Sequence, residues 1–181
     1  VFSIQKLMES KENIVFLGMM GSGKTSVGLL VSKKLGLDFF DIDKLIENRL
    51  KMKISRIFET KGEKYFRKIE EEITLKILKK DKVVISLGGG AFLNKKIRNE
   101  VLSKHFSFWL KWDSKVLIKR IINNPKRPIA IKSTNQELID LIKKRSNIYS
   151  KALYKLNCNN LTKTEVVNKI LEIHETNQIS N

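Results

Sequence analysis

Cysteine is almost missing from this chain: among its 181 residues only Cys158 is one. A lone thiol closes no internal disulfide and builds no multi-thiolate zinc centre, and it fits a reducing compartment. Histidine is nearly as scarce. His105 and His174 are too few and too scattered for a ligand cluster, and both read as surface or structural residues. No run of roughly 18 apolar residues occurs, so no helix is expected to span a membrane. The segment from Val1 to Lys6 lacks the long apolar core of a secretory signal, and it lacks an initiating Met. A cytoplasmic location is expected, with an organelle reached through a removed targeting segment left open. Acidic residues are outnumbered, 19 against 36 basic ones, for a net charge of +17. Such a balance raises nucleic-acid binding. Against it, the lysines are dispersed in pairs such as Lys33-Lys34 and Lys79-Lys80, without a long basic run. The aromatics read as strand core rather than as a base-stacking row. The expected partners are therefore small molecules, with no nucleic acid and no membrane.

What is present is enough for a core: 41% of the residues are hydrophobic, and the length suits one domain spanning 1–181. Apolar runs at Asn13–Leu17, Asp38–Asp43, Val83–Leu87, Phe106–Trp112 and Tyr154–Cys158 read as strands. The first and third are nearly all apolar, as parallel strands covered on both faces are. Amphipathic stretches lie between them. Phe66, Ile69, Ile73 and Ile77 recur at helical spacing, and Thr162-Lys163-Thr164-Glu165 is a capping box. Strands alternating with helices argue for an α/β fold with a parallel sheet, whose ligands sit beyond the carboxyl ends of the strands. Trp109 and Trp112 fall in the fourth strand and read as core packing or a sheet edge.

Gly18 to Thr25 reads G-M-M-G-S-G-K-T, a phosphate loop between an apolar run and a helical pattern. Its glycines let backbone N–H groups curl around a phosphate, and the following helix adds the positive end of its dipole. Gly21, Ser22, Gly23, Lys24, Thr25 and Ser26 are the candidate nucleotide contacts. Lys24 would reach the outer phosphates, and the Thr25 hydroxyl would sit on Mg²⁺.

Five further features lie downstream. Asp41-Ile42-Asp43 ends the second strand, and alternation puts both carboxylates on one face. One could hold Mg²⁺ through water while the other accepts a hydroxyl proton; equally, the two could be helix-capping acids. Arg67, one turn past Gly62, is either a guanidinium fork for a carboxylate or a surface cation paired with Glu63 or Glu71. Gly88-Gly89-Gly90 follows the third strand, where close backbone approach to a ligand is useful. Pro125 and Pro128 bracket Arg127, which a stiffened lid could carry onto the transferring phosphoryl group; a basic surface loop is the plainer reading. Arg145, in K-K-R-S-N-I-Y, starts as a solvated helix cation.

Together these motifs resemble shikimate kinase. The match runs from about Asn13 to about Ile173, in order, and the discriminating set is D-I-D at Asp41–Asp43, G-E-x-x-F-R at Gly62–Arg67, L-G-G-G at Leu87–Gly90, Arg127-Pro128 and R-x-x-x-Y at Arg145–Tyr149. The resemblance implies a three-layer α/β/α fold like that of nucleoside monophosphate kinases. Its five parallel strands are ordered 2-3-1-4-5, with a mobile lid at about 123–137 and a shikimate-binding region at about 43–72. It implies transfer of the γ-phosphoryl group of Mg-ATP to the 3-hydroxyl of shikimate; a monomer is expected. It further implies Lys24, Asp43 and Arg127 as catalytic residues, with Asp43 the candidate base. Asp43, Arg67, Gly88, Gly89, Gly90 and Arg145 would hold shikimate, the two arginines on its carboxylate. Thr25 and, through water, Asp41 would serve the metal, and Arg120 would lie beside the adenine. Another small-molecule P-loop kinase, such as gluconate kinase, is the alternative among enzymes, and a nucleotide-binding relative without turnover is the alternative outside them.

Overall fold

Ile14–Leu17 (β1) is buried along its whole length, as a parallel strand covered on both faces must be. In the computed structural model, which describes residues 13–123 and 133–179, it is the centre of a five-stranded parallel sheet. The other strands are Asp38–Asp41 (β2), Val83–Ser86 (β3), Phe106–Lys111 (β4) and Tyr154–Asn157 (β5). Their order is β2-β3-β1-β4-β5, as the resemblance implied.

Helices cover both faces. Lys24–Leu35 (α1) and Lys163–Ile179 (α7) share one apolar cluster, in which Val27 and Val31 meet Val166, Val167 and Ile170 over Ile14 and Phe16. Ile42–Leu50 (α2), Ile54–Leu78 (α3), Lys95–Lys104 (α4), Ser114–Ile122 (α5) and Asn135–Tyr149 (α6) contribute to the other, against Val15 and Leu17. Alternate β1 residues thus serve opposite faces. The expected stripe of Phe66, Ile69, Ile73 and Ile77 is buried on α3, and Thr162 and Glu165 exchange the capping contacts that begin α7.

Parallel pairing brings all the strand carboxyl ends to one edge. Asp41 is level with Ser86, Phe16 with both Ser86 and Phe108, and Lys111 with Asn157. The segments leaving that edge are the phosphate loop, the start of α2, the glycine turn after β3 and Trp112.

Two expectations need correction, and a third is narrowed. The second strand stops at Asp41, because the Asp41 side chain accepts from Lys44 N at 3.2 Å and starts α2 at Ile42. Asp43 therefore lies in the first turn of a helix, and strand alternation does not set its direction. His105 and His174 are both buried, the latter edge-on to Phe106, so of the two expected roles, surface or structural, the structural one stands. Trp112 lies one residue past β4, which is itself internal to the sheet, and it meets the phosphate loop rather than a sheet edge.

Candidate active site

The phosphate loop closes on itself around Lys24. Its Nζ donates to the carbonyls of Gly18 at 2.9 Å and Met19 at 3.0 Å, so the ammonium sits inside the curve of the loop. Gly21 and Gly23 have φ of 82° and 91°, a region that side chains disfavour. Gly23 directly precedes α1, whose first residue is Lys24. N–H groups at the helix start and a nearly buried ammonium together make an anion cradle. Ser26 Oγ donates to Gly23 O at 3.1 Å and braces the same turn.

The Thr25 hydroxyl donates to Asp41 Oδ2 at 2.6 Å, joining the loop to the end of β2. Two hard oxygen donors meet there, one of them charged, beside the phosphate cradle. That donor set suits Mg²⁺, which keeps several of its own waters and takes one or two carboxylates plus phosphate oxygens.

Asp43 stands one half-turn further on. Burial pushes its carboxyl up to about 6, against the pull of Lys24 and with the help of neighbouring Asp41. A carboxyl poised there changes charge close to neutrality, as a proton acceptor should.

The glycine turn gathers the remaining groups. A Cβ added at Gly88 would lie 2.6 Å from Asp43 Oδ1 and 2.7 Å from Glu70 Oε1. One at Gly90 would lie 2.5 Å from Arg67 Nη1, and one at Gly89 would lie 3.5 Å from Arg145 Nη1. Two carboxylates and two guanidinium groups therefore line a single stretch of backbone. Arg145 is buried, donating to Gly89 O at 3.4 Å and to Met19 Sδ at 3.7 Å, so the reading as a solvated cation does not hold. The Tyr149 hydroxyl also donates to Gly89 O, and burial pushes its pKa up to about 12, which keeps it a donor.

Arg67 reaches this pocket because the helix is broken before it. Gly62 has φ 78° and ψ 167° within α3, so the helix restarts and turns Arg67 toward Gly90. Its partners are Glu63 at 3.1 Å, as the sequence suggested, and Glu70 at 2.7 Å in place of Glu71. Glu71 instead pairs with Lys96 at 2.7 Å. Glu70 is 2% exposed, and its Oε1 has no hydrogen-bond partner among the described residues. Burial raises its pKa while Arg67 draws it back. For Arg67 burial disfavours the charge, but Glu70 and Glu63 outweigh that and hold its pKa above the ordinary value. Glu70 was absent from the expected site. Its signal was position: it falls four residues after Phe66, on the same face as the apolar stripe.

On the other side of the loop, the Trp112 indole N–H donates to Ser22 O at 2.9 Å. Arg120 lies over the Trp112 ring, with Cζ 3.8 Å from the centroid, and donates to Gly21 O at 3.4 Å. Asn159 Oδ1 accepts from Asp113 N at 3.0 Å, which fixes the loop after β5 against the same corner. Cys158 is buried and its thiol pushed up to about 11, chiefly by burial, so it is no nucleophile at neutral pH. Arg127 and most of the expected lid lie outside the described residues. No group of His, Cys, Asp and Glu among the described residues forms a ready metal cage, and no helix among them is long and apolar enough to cross a membrane.

Residues 20–175 match the family model described as shikimate kinase. A curated shikimate kinase of Thermodesulfovibrio yellowstonii is 39% identical over 165 residues, covering 91% of this chain and 95% of that protein. Among solved structures, shikimate kinase from Acinetobacter baumannii in complex with shikimate superposes with a TM-score of 0.86 at 29% identity, covering 96% of this chain and 98% of the other. Shikimate kinase from Aquifex aeolicus gives 0.83 at 36% identity, covering 93% and 99%.

Proposed function

This chain belongs to the shikimate kinase family and transfers the γ-phosphoryl group of ATP to the 3-hydroxyl of shikimate, and we propose that the groups gathered between the phosphate loop and Gly88–Gly90 divide that work as follows. The observation that carries the assignment is convergence: Asp43, Glu70, Arg145 and Arg67 all border three consecutive glycines beside the anion cradle.

Arg67 and Arg145 hold the shikimate carboxylate, since two guanidinium groups suit a planar anion. Backbone at Gly88–Gly90 lets the ring approach where a Cβ would block it. Asp43 accepts from the hydroxyl that attacks, orienting it and taking its proton as the P–O bond forms. Glu70 is a positioning residue, holding Arg67 through the 2.7 Å pair. Lys24 and the loop N–H groups neutralise the phosphates and lose no reorganisation energy when charge shifts to the leaving group. Thr25 and, through water, Asp41 would hold Mg²⁺, which would supply charge neutralisation for the phosphates. Arg120 faces the adenine, and Arg127 is the lid arginine. The unit acts as one kinase domain over 1–181, as a monomer in the cytoplasm, where the reduced, buried Cys158 fits.

The test is ADP release from Mg-ATP with and without shikimate, with gluconate and a nucleoside monophosphate as controls. Release that requires shikimate is expected. Equal release with gluconate would overturn the acceptor assignment while leaving the phosphate cradle intact.

A further inference from the structure

We propose that Trp112 is a positioning residue for ATP, fixing the Ser22–Gly23 peptide of the phosphate loop and carrying Arg120 on its ring, so that the two ends of the nucleotide site are set by one side chain. The inference rests on the reading of Arg120 as the residue facing the nucleotide base.

The geometry gives the first half of the argument. The indole N–H donates to Ser22 O at 2.9 Å. In a trans peptide the C=O and the following N–H point in opposite directions. Holding the Ser22 carbonyl toward Trp112 therefore turns the Gly23 N–H the other way, away from the indole and toward the concave side of the loop. Gly23 takes φ of 91° to meet that peptide orientation. Without an external acceptor-side anchor, this peptide could rotate and remove one donor from the cradle. Trp112 is such an anchor, reaching the loop from 90 positions along the chain.

The second half concerns Arg120. Its guanidinium lies 3.8 Å from the Trp112 ring centroid, which is contact distance for a planar cation on a π face. The same guanidinium donates to Gly21 O at 3.4 Å. Arg120 is otherwise exposed, whereas a long arginine on a helix surface normally samples many rotamers. The ring selects one of them and so presents a flat cation beside the loop before nucleotide arrives. Preorganisation of this kind lowers the entropic cost of binding. Trp109, the chain's other tryptophan, is buried against Tyr149 at 6.0 Å between centroids and borders the loop only at Gly18, where an added Cβ would lie 3.4 Å from its ring.

The experiment compares wild type with Trp112→Phe, which keeps a ring but loses the donor, and Trp112→Leu, which loses both. Mg-ADP affinity is measured by calorimetry, KM for ATP and for shikimate by ADP release, and folding by circular dichroism. One lost hydrogen bond predicts an ADP affinity and an ATP KM worsened about two- to tenfold in Trp112→Phe, with a larger effect in Trp112→Leu. The shikimate KM at saturating ATP is expected to stay at its wild-type value. Tryptophan emission should respond to ADP more strongly in wild type than in Trp112→Phe, where Trp109 alone remains. Unchanged ADP affinity in folded Trp112→Phe overturns the proposal. So does an equal rise of both KM values with a lowered melting temperature, the mark of a merely structural ring. If wild type itself binds no ADP, it is the functional reading beneath the proposal that falls.

Discussion

Thr25 and Asp41 share a 2.6 Å hydrogen bond across the gap between the phosphate loop and the end of β2. Asp41 also accepts from Lys44 N at 3.2 Å as the cap of α2, so one carboxylate has two duties. Asparagine caps helices as well as aspartate does. Asp41→Asn should therefore preserve the melting temperature while raising the Mg²⁺ concentration needed for half-maximal rate. An activity loss of about 10- to 100-fold at fixed Mg²⁺ matches what support groups around a metal contribute. A magnesium titration that overlays wild type would reduce Asp41 to its capping duty.

Asp43 ties rate to pH. Its carboxyl is pushed up to about 6, mainly by burial, and a base acts only when ionised. The acidic limb of kcat/KM for shikimate should therefore rise through a midpoint near about 6. The stability sign is opposite. A raised folded-state pKa means the contribution of Asp43 is fully present below the ordinary value of 3.8 and is lost as pH rises through about 6. Asp43→Asn should then lose turnover, keep ATP affinity, and melt higher than wild type at pH 8, by about 2–4 °C for each kcal/mol recovered. A lower melting point at pH 8 would show that the carboxylate is stabilised in place rather than strained.

Gly90 offers a test of the arginine fork without touching Arg67. A Cβ there would lie 2.5 Å from Arg67 Nη1, and a guanidinium can swing away where backbone could not. Gly90→Ala should thus spare the fold yet displace the fork. Loss of a charge-assisted pair predicts a shikimate KM raised about tenfold or more with ATP KM unchanged. Arg67→Ala should do the same and also destabilise the protein, because Glu70 is left buried without its partner. Equal effects of Gly90→Ala on both substrates would mean the turn shapes the whole cleft.

Lys24→Ala removes the ammonium that now bridges two loop carbonyls. Turnover should fall by about 10²–10³ or more, as when one preorganised charge is deleted from a transfer site. Ordinary turnover in folded Lys24→Ala would remove the phosphate-loop assignment.

The legibility of these groups followed their locality. The phosphate loop was readable because its glycines, Lys24 and Thr25 act within eight consecutive residues, Gly18 to Thr25. The buried strands were readable from unbroken apolar runs, and the true ends of β2 and β4 fell within two residues of expectation. Asp43 was found for partly the wrong reason, since strand alternation was extended past the point where Asp41 had already capped a helix. Arg145 looked solvated because its neighbours Lys143 and Lys144 are exposed, and only the tertiary position of α6 puts it against Met19 and Gly89. Trp112 could not be separated from core aromatics, because its partner Ser22 lies 90 positions away. Arg127 stands outside the described residues.

The pairing of Arg67 with Glu70 carries a consequence for how this pocket can change over generations. A lineage that lost Arg67 first would strand a carboxylate that is 2% exposed. One that lost Glu70 first would leave the guanidinium that grips the acceptor held by the exposed Glu63 alone. Each single step passes through a poorer protein, while the paired exchange for two neutral residues need not. The two positions therefore form a ratchet: they are kept together or surrendered together, and a new acceptor specificity arising in this pocket would have to begin somewhere else in it.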